Sequence, residues 1–190
     1  MRVRRATAAT VTAVALTALT ASTALVAPAA SAGTATAAKP APCAEKNLTV
    51  RAEPSDDSDG VLRLSVRNDS ARACLVDRVP TVTYGDLDGA ALPVPTVRHA
   101  GRSLAPHTTV YAAVLSLSDS KDADDEARTV MSLHVAAVPD HDGRTFQVLK
   151  LGAPAGLAVY DPVTTLWQSS PHRATQVLLE ETTGRGIIAA

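Results

Sequence analysis

Aromatic residues are scarce. Phe146, Trp167, Tyr84, Tyr111 and Tyr160 are all that the 190 residues contain. Any core must therefore be filled with Val, Leu and Ala, and few of the rings that dominate binding hot spots are on hand. A basic excess is also missing, with 18 Lys and Arg against 19 Asp and Glu. That balance carries no electrostatic footprint for nucleic acid or an anionic membrane. After residue 32 no stretch approaches the roughly 18 apolar residues needed to span a bilayer. Cysteine is confined to Cys43 and Cys74. There is thus no C-x-x-C for redox chemistry and no closely spaced set for zinc. A G-x-S-x-G elbow, a Ser-x-x-Lys motif and a glycine-rich phosphate cradle are absent as well.

What is present begins with an address. Arg2, Arg4 and Arg5 form a basic start, an uncharged Ala/Thr/Leu/Val stretch runs to about Ala27, and Ala30-Ser31-Ala32 closes it. This layout predicts a secretory signal peptide over 1–32, cut between Ala32 and Gly33. The Arg4-Arg5 pair lacks the bulky apolar residue expected after a twin-arginine signal, which favours the Sec route. Without residues 1–32, 158 residues remain, with 15 basic against 19 acidic side chains. One domain with a real core fits that length. Outside the cytoplasm, an even pair of cysteines reads first as a disulfide. A Cys43–Cys74 bridge would close a loop of about 30 residues, contributing about 3–4 kcal/mol in the chain-entropy model. A lipid anchor at Cys43 would need a Leu-Ala-Gly-type box, and Pro40-Ala41-Pro42 stands there instead.

Residues 33–42 are rich in Ala, Thr and Pro and read as a flexible leader. Beyond them alternation takes over. Leu48 and Val50 alternate with polar neighbours, as do Leu62, Leu64 and Val66, the period of half-buried strands. The intervening turn contains Asp56, Asp57 and Asp59 and ends in Asp59-Gly60. Further runs are 73–76, 79–84, 90–97, 108–116, 129–138, 144–151, 157–160 and 174–180, separated by turn signals. Asp88-Gly89 predicts a hairpin between 79–84 and 90–97. Pro93 and Pro95 place the returning segment on a sheet edge. The segment 120–128 is short and polar all round, and is read as a loop with one helical turn. The expectation is an all-β fold, an antiparallel sandwich of about eight or nine strands over 43–182, with a frayed tail from Thr182 and its end at 183–190.

The segment 62–84, LRLSVRNDSARACLVDRVPTVTY, resembles a secreted actinobacterial family known as domain of unknown function 4232. Its strand, Asn-x-Ser, x-x-Cys and x-x-x-Pro-x-Val elements occur here in order, with Leu75 directly after Cys74. Cys43 before Leu48, the Asp88-Gly89 turn and Leu104-Ala105-Pro106 before an apolar strand also match. The chain departs at Arg78-Val79, where the family commonly has Gly-Tyr, and at Pro106-His107, where Pro-Gly is frequent. The resemblance implies an immunoglobulin-like β-sandwich outside the cell, its first strand tied to its third by a disulfide. It implies no established reaction and no catalytic residues.

Candidate sites are few. Asp119, Asp122, Asp124, Asp125 and Glu126 form an acidic run over 119–126, but the glycine and twelfth-position glutamate of a calcium loop are lacking. His99, His107, His134, His141 and His172 are scattered with no H-x-H or H-x-x-x-H pair. His134 is in phase with Val130, Ala136 and Val138, and reads as a hydrogen-bonded core or sheet-face residue. Asn47-Leu48-Thr49 and Asn68-Asp69-Ser70 match the glycosylation sequon, and Asn68-Asp69 also reads as a turn. No cofactor or metal is expected. The favoured reading is a secreted, non-enzymatic binding module for an extracellular protein or cell-wall component, and a third reading makes it a cell-envelope component held by weak contacts. Trp167, beside Gln168-Ser169-Ser170, is a candidate exposed anchor or else a core or lid residue. Pro93 and Pro95 mark a candidate contact edge. The competing reading is an extracellular hydrolase using His134 or His141 with an acidic partner.

Overall fold

The computed structural model describes residues 40–56, 58, 60–96, 101–117 and 123–183. The expected signal peptide (1–32), the leader up to residue 39 and the tail beyond 183 lie outside the described residues. So do Asp57, Asp59, His99, Asp119 and Asp122. The first alternating runs form a hairpin, β1 (Leu48–Pro54) against β2 (Val61–Asn68), with Val50 opposite Val66 and Ala52 opposite Leu64. Gly60 turns it at a φ of +74°, a conformation that glycine adopts without steric cost. Three short strands follow: β3 (Cys74–Val76), β4 (Thr81–Tyr84) and β5 (Leu92–Val94). Then come β6 (Arg102–Leu104) and β7 (Thr109–Leu115), the helical turn α1 (Ala123–Glu126), β8 (Arg128–Val130) and β9 (Ser132–Ala136). The chain ends in β10 (Arg144–Gln147), β11 (Leu157–Val159), β12 (Val163–Thr165) and the helix α2 (Pro171–Thr183).

The largest sheet has the order β1-β2-β7-β12-β5, and smaller sheets are β10-β9-β4, β11-β8 and β3-β6. All pairs are antiparallel except β5 with β12. Side-chain alternation splits the large sheet into two faces. Leu62, Leu64, Val66, Val110, Ala112 and Val114 point into the main core, which they share with Val76, Val82, Leu104, Leu133, Val135 and Trp167 from the elements opposite. This is the antiparallel sandwich expected from the sequence, with an aliphatic filling. Each fully buried Val or Leu side chain stabilises it by roughly 1.5–3 kcal/mol.

The other face belongs to α2. Val61, Ala113 and Leu115 from the sheet, with Val94 and Val163, meet Ala174 and Leu178 of the helix in a second apolar cluster. The expected strand at 174–180 is therefore wrong. Ser170 caps a helix, its Oγ accepting the Arg173 N–H at 3.2 Å, and Pro171 occupies the first helical position. Buried Ala174, Leu178 and Thr182 recur at intervals of four, the helical period. The expected fraying from Thr182 fails for the same reason: Thr182 is fully buried, and its hydroxyl donates to Leu178 O at 2.7 Å.

Three further expectations need correction. The 129–138 run is not one strand: it breaks at Met131, so that Leu133 and Val135 face the core and His134 the outer side. The 144–151 run ends as a strand at Gln147 and continues as a 3₁₀ turn. The Asp88-Gly89 reversal does not make a hairpin, because β4 pairs with β9 while β5 crosses to β12. Short breaks of this kind raise the strand count among the described residues to twelve, against the eight or nine expected.

The disulfide is present. Cys43 and Cys74 are bridged with a Cα–Cα distance of 4.8 Å and a sequence separation of 31. The segment before β1 lies along β3: Cys43 N–H donates to Leu75 O and Leu75 N–H to Ala41 O, both at 2.8 Å. The bridge staples this segment to the β3-β6 sheet, and both cysteines are buried.

Candidate functional site

A bulge builds the most distinctive concavity. Thr164 of β12 stands opposite Val114, yet the next bridge joins Gln168 to Tyr111, so the β12 side holds one residue more than β7. Thr165 Oγ1 accepts the Ala113 N–H at 3.0 Å and Thr164 Oγ1 donates to Ala113 O at 3.4 Å, satisfying the interrupted ladder. Leu166 and Trp167 are freed from pairing, and Trp167 turns into the core at 1% exposure. It is not the exposed anchor considered above, because its ring fills the sandwich. Its peptide group instead ties two arginines together: Trp167 N–H donates to Arg78 O at 3.1 Å, and Arg102 Nη1 donates to Trp167 O.

Those residues line a cavity of about 340 Å³ together with Gly101, Leu166 and Gln168. The register of β3 and β6 explains the meeting. Val76 faces Arg102, and Arg78 follows two residues after Val76. No carboxylate among the described residues pairs with either guanidinium. Burial, and then the like charge of Arg78, lower the pKa of Arg102. Arg78, exposed, also lines a recess of about 300 Å³, walled mainly by Val79, Pro80, Ala91, Pro93 and Pro139, with Asp77 and Thr81 beside them. Pro93 belongs to β5, the last strand of the large sheet, and Pro95 follows Val94 through a cis peptide. The edge position expected for the two prolines is thus observed.

Sequence reasoning missed Arg78 and Arg102. They lie 24 positions apart in an unremarkable charge pattern, and only the β3–β6 pairing brings them together. The sole local hint is that Arg78 sits in the Pro-x-Val segment, where no acid follows it.

His134 and His141, the histidines of the competing hydrolase reading, stand in different surroundings. His134 Nδ1 lies 3.3 Å from Thr145 Oγ1, and its cross-strand partner on the other side is Thr83. His141 lines a different recess with Glu45 and Arg144, and Glu45 Oε1 is engaged by the Gly143 N–H at 2.6 Å. Among the described residues no carboxylate is hydrogen-bonded to His134 or His141. No group of three or more His, Cys, Asp or Glu able to hold a metal occurs among the described residues. Of the acidic run 119–126, Asp125 and Glu126 are exposed on α1. Asn68, one of the two sequon asparagines, is fully buried. Its Nδ2 donates to Arg72 O at 2.8 Å and to Leu104 O at 3.1 Å, a structural role that closes it to modification in the folded chain. A further cavity, about 310 Å³, is lined by Tyr84, Asp88 and Tyr160 among others. The Tyr84 hydroxyl is buried with no hydrogen-bond partner among the described residues, and burial raises its pKa well above the ordinary phenol value.

No helix among the described residues is long and apolar enough to cross a membrane. No curated protein and no solved structure matches this chain. The model of the domain of unknown function DUF4232 matches residues 43–168, from the first cysteine through β12 to the residue that closes the bulge. That match covers about two thirds of the chain, and the protein belongs to this family.

Proposed function

We propose that this protein is exported by its signal sequence and acts outside the cytoplasm as a non-enzymatic binding module for an extracellular protein or cell-wall component. The observation that carries the reading is the pair of concavities sharing Arg78, one walled by two guanidiniums that meet no carboxylate among the described residues and the other mainly by proline and aliphatic side chains, with Asp77 and Thr81 beside them. Arg102 is half-buried beside exposed Arg78, and an anionic ligand would relieve the cost of its desolvation. The buried disulfide supports export, since such bridges persist in oxidising compartments. The residues flanking the two recesses come from loops and a sheet edge, the places where sandwiches present contact surfaces.

The test has two parts. Intact mass of the protein recovered from culture supernatant should match a chain beginning at Gly33 with two fewer hydrogens than the reduced form. The full chain should also co-sediment saturably with washed envelope material from the producing cells, and an Arg78→Gln variant should co-sediment less. A chain found only inside the cells, or wild-type protein that stays entirely in the wash, would refute the reading.

A further inference from the structure

The ligand class can be taken further, on the basis of the binding-module reading. We propose that the Arg78–Arg102 cavity receives the free C-terminal carboxylate of a partner polypeptide, with the apolar side chain next to it seated in the recess beside Pro93. Arg102 is oriented by its bond to Trp167 O, which occupies one of its five N–H donors. No hydrogen bond to the Arg78 side chain is found among the described residues, and neither guanidinium meets a carboxylate. Arg102 is half-buried and Arg78 exposed on one cavity of about 340 Å³, and an anion placed against both would offset their like charge. A carboxylate accepts such donors through charge-assisted bonds, the strong class.

The neighbouring recess decides between anions. It is walled mainly by Val79, Pro80, Ala91, Pro93 and Pro139, with Asp77 and Thr81 also on its lining, and Arg78 lines both cavities. A bare phosphate would leave this second recess unused. A chain terminus brings a carboxylate and an apolar side chain within one residue of each other, matching both. Recesses of about 300 and 340 Å³ suit one residue and its terminal group rather than a whole folded surface.

Trp167 is the sole tryptophan of the chain and lines the cavity, so its emission reports occupancy without a label. The full chain is titrated with N-acetyl-alanyl-leucine as the free acid, with its C-terminal amide, and with inorganic phosphate, each confirmed by calorimetry. The free acid should bind saturably and the amide about ten- to hundredfold more weakly, the loss expected when a charge-assisted contact disappears. Arg78→Gln should weaken the acid by a similar factor. Because the Arg78 side chain supports no described contact, this variant keeps the test independent of folding, which Arg102→Gln would not. Equal binding of acid and amide, an unaffected Arg78→Gln variant, or phosphate matching the peptide acid would each overturn the assignment. Failure to bind the peptide acid while wild-type protein still co-sediments with envelope material would refute the ligand and leave the module reading standing. Loss of both would refute the two together.

Discussion

Replacing Tyr84 by phenylalanine should make the protein more resistant to alkali. The Tyr84 ring is buried in β4 at 2% exposure, and its hydroxyl has no hydrogen-bond partner among the described residues. Burial disfavours the phenolate, so the folded-state pKa lies above the unfolded value of about 10. The stability associated with this group is therefore complete below about pH 10 and is lost as the pH rises beyond it. Above that point the unfolded chain has released the proton and the folded chain still holds it. The linkage relation then gives a loss of about 1.4 kcal/mol per pH unit. Wild-type protein should lose about 1.4 kcal/mol to this one group between pH 8 and pH 11, and Tyr84→Phe should lose none of it. At neutral pH the variant should match the wild type or exceed it by up to about 1 kcal/mol, since an unpaired buried hydroxyl is removed. The assay is urea denaturation of both proteins at pH 8, 10 and 11, followed by Trp167 fluorescence. With a slope of about 2 kcal/mol per molar urea, the wild-type midpoint should fall relative to the variant by about 0.7 M at pH 11. Other titrating groups are common to both and cancel in the difference. Parallel midpoints across the pH range, or a variant weakened by more than about 2 kcal/mol at pH 8, would show that the hydroxyl has a partner and that the burial argument is mistaken.

Leu178→Ala should cost about 3 kcal/mol by urea denaturation, because the side chain is fully buried between α2 and the large sheet, whereas exposed Gln176→Ala should stay within about 0.5 kcal/mol. A neutral Leu178→Ala would mean that the helix does not pack there. Cys74→Ser should lower stability by about 3–4 kcal/mol under oxidising conditions, from the loop of 31 residues it opens, and reduction of the wild type should abolish the gap. An unchanged melting temperature for that variant would argue against the bridge as a stabiliser. Gly143→Ala should cost about 2–4 kcal/mol, since φ is +67° and a Cβ there meets His134 Nε2 and Val135 O at 2.6 Å. Calorimetric stability equal to wild type would show that the turn relaxes freely.

How much was legible in the sequence follows from what each signal depends on. β1, β2 and β7 were readable because one side of each strand faces a continuous core, and burial imposes the period of two directly on the residue types. The disulfide was readable because two cysteines allow only one pairing. α2 was missed because its run of Ala174, Val177, Leu178 and Leu179 is short and apolar enough for either period. The cap at Ser170 and Pro171 decides it, and those two residues also fit a turn. His134 stands on the sheet face, one of the two places its alternation allowed, but the break at Met131 leaves no mark on the hydrophobic pattern: Val130 and Leu133 both face inward, three positions apart. Of the candidate site, the proline edge was visible from the chemistry of a residue without an N–H. The arginine pair was not, since a missing ion pair is a property of space and not of spacing.

The family match ends at residue 168, and α2 starts at Pro171. A recombinant fragment trimmed to the matched span would strip the cover from Val61, Val94, Ala113, Leu115 and Val163, leaving a greasy strip across the middle of the broadest sheet. Such strips make proteins stick to one another and to vessel walls. Anyone producing this domain, or comparing it with shorter kin, should carry the helix along through Thr183.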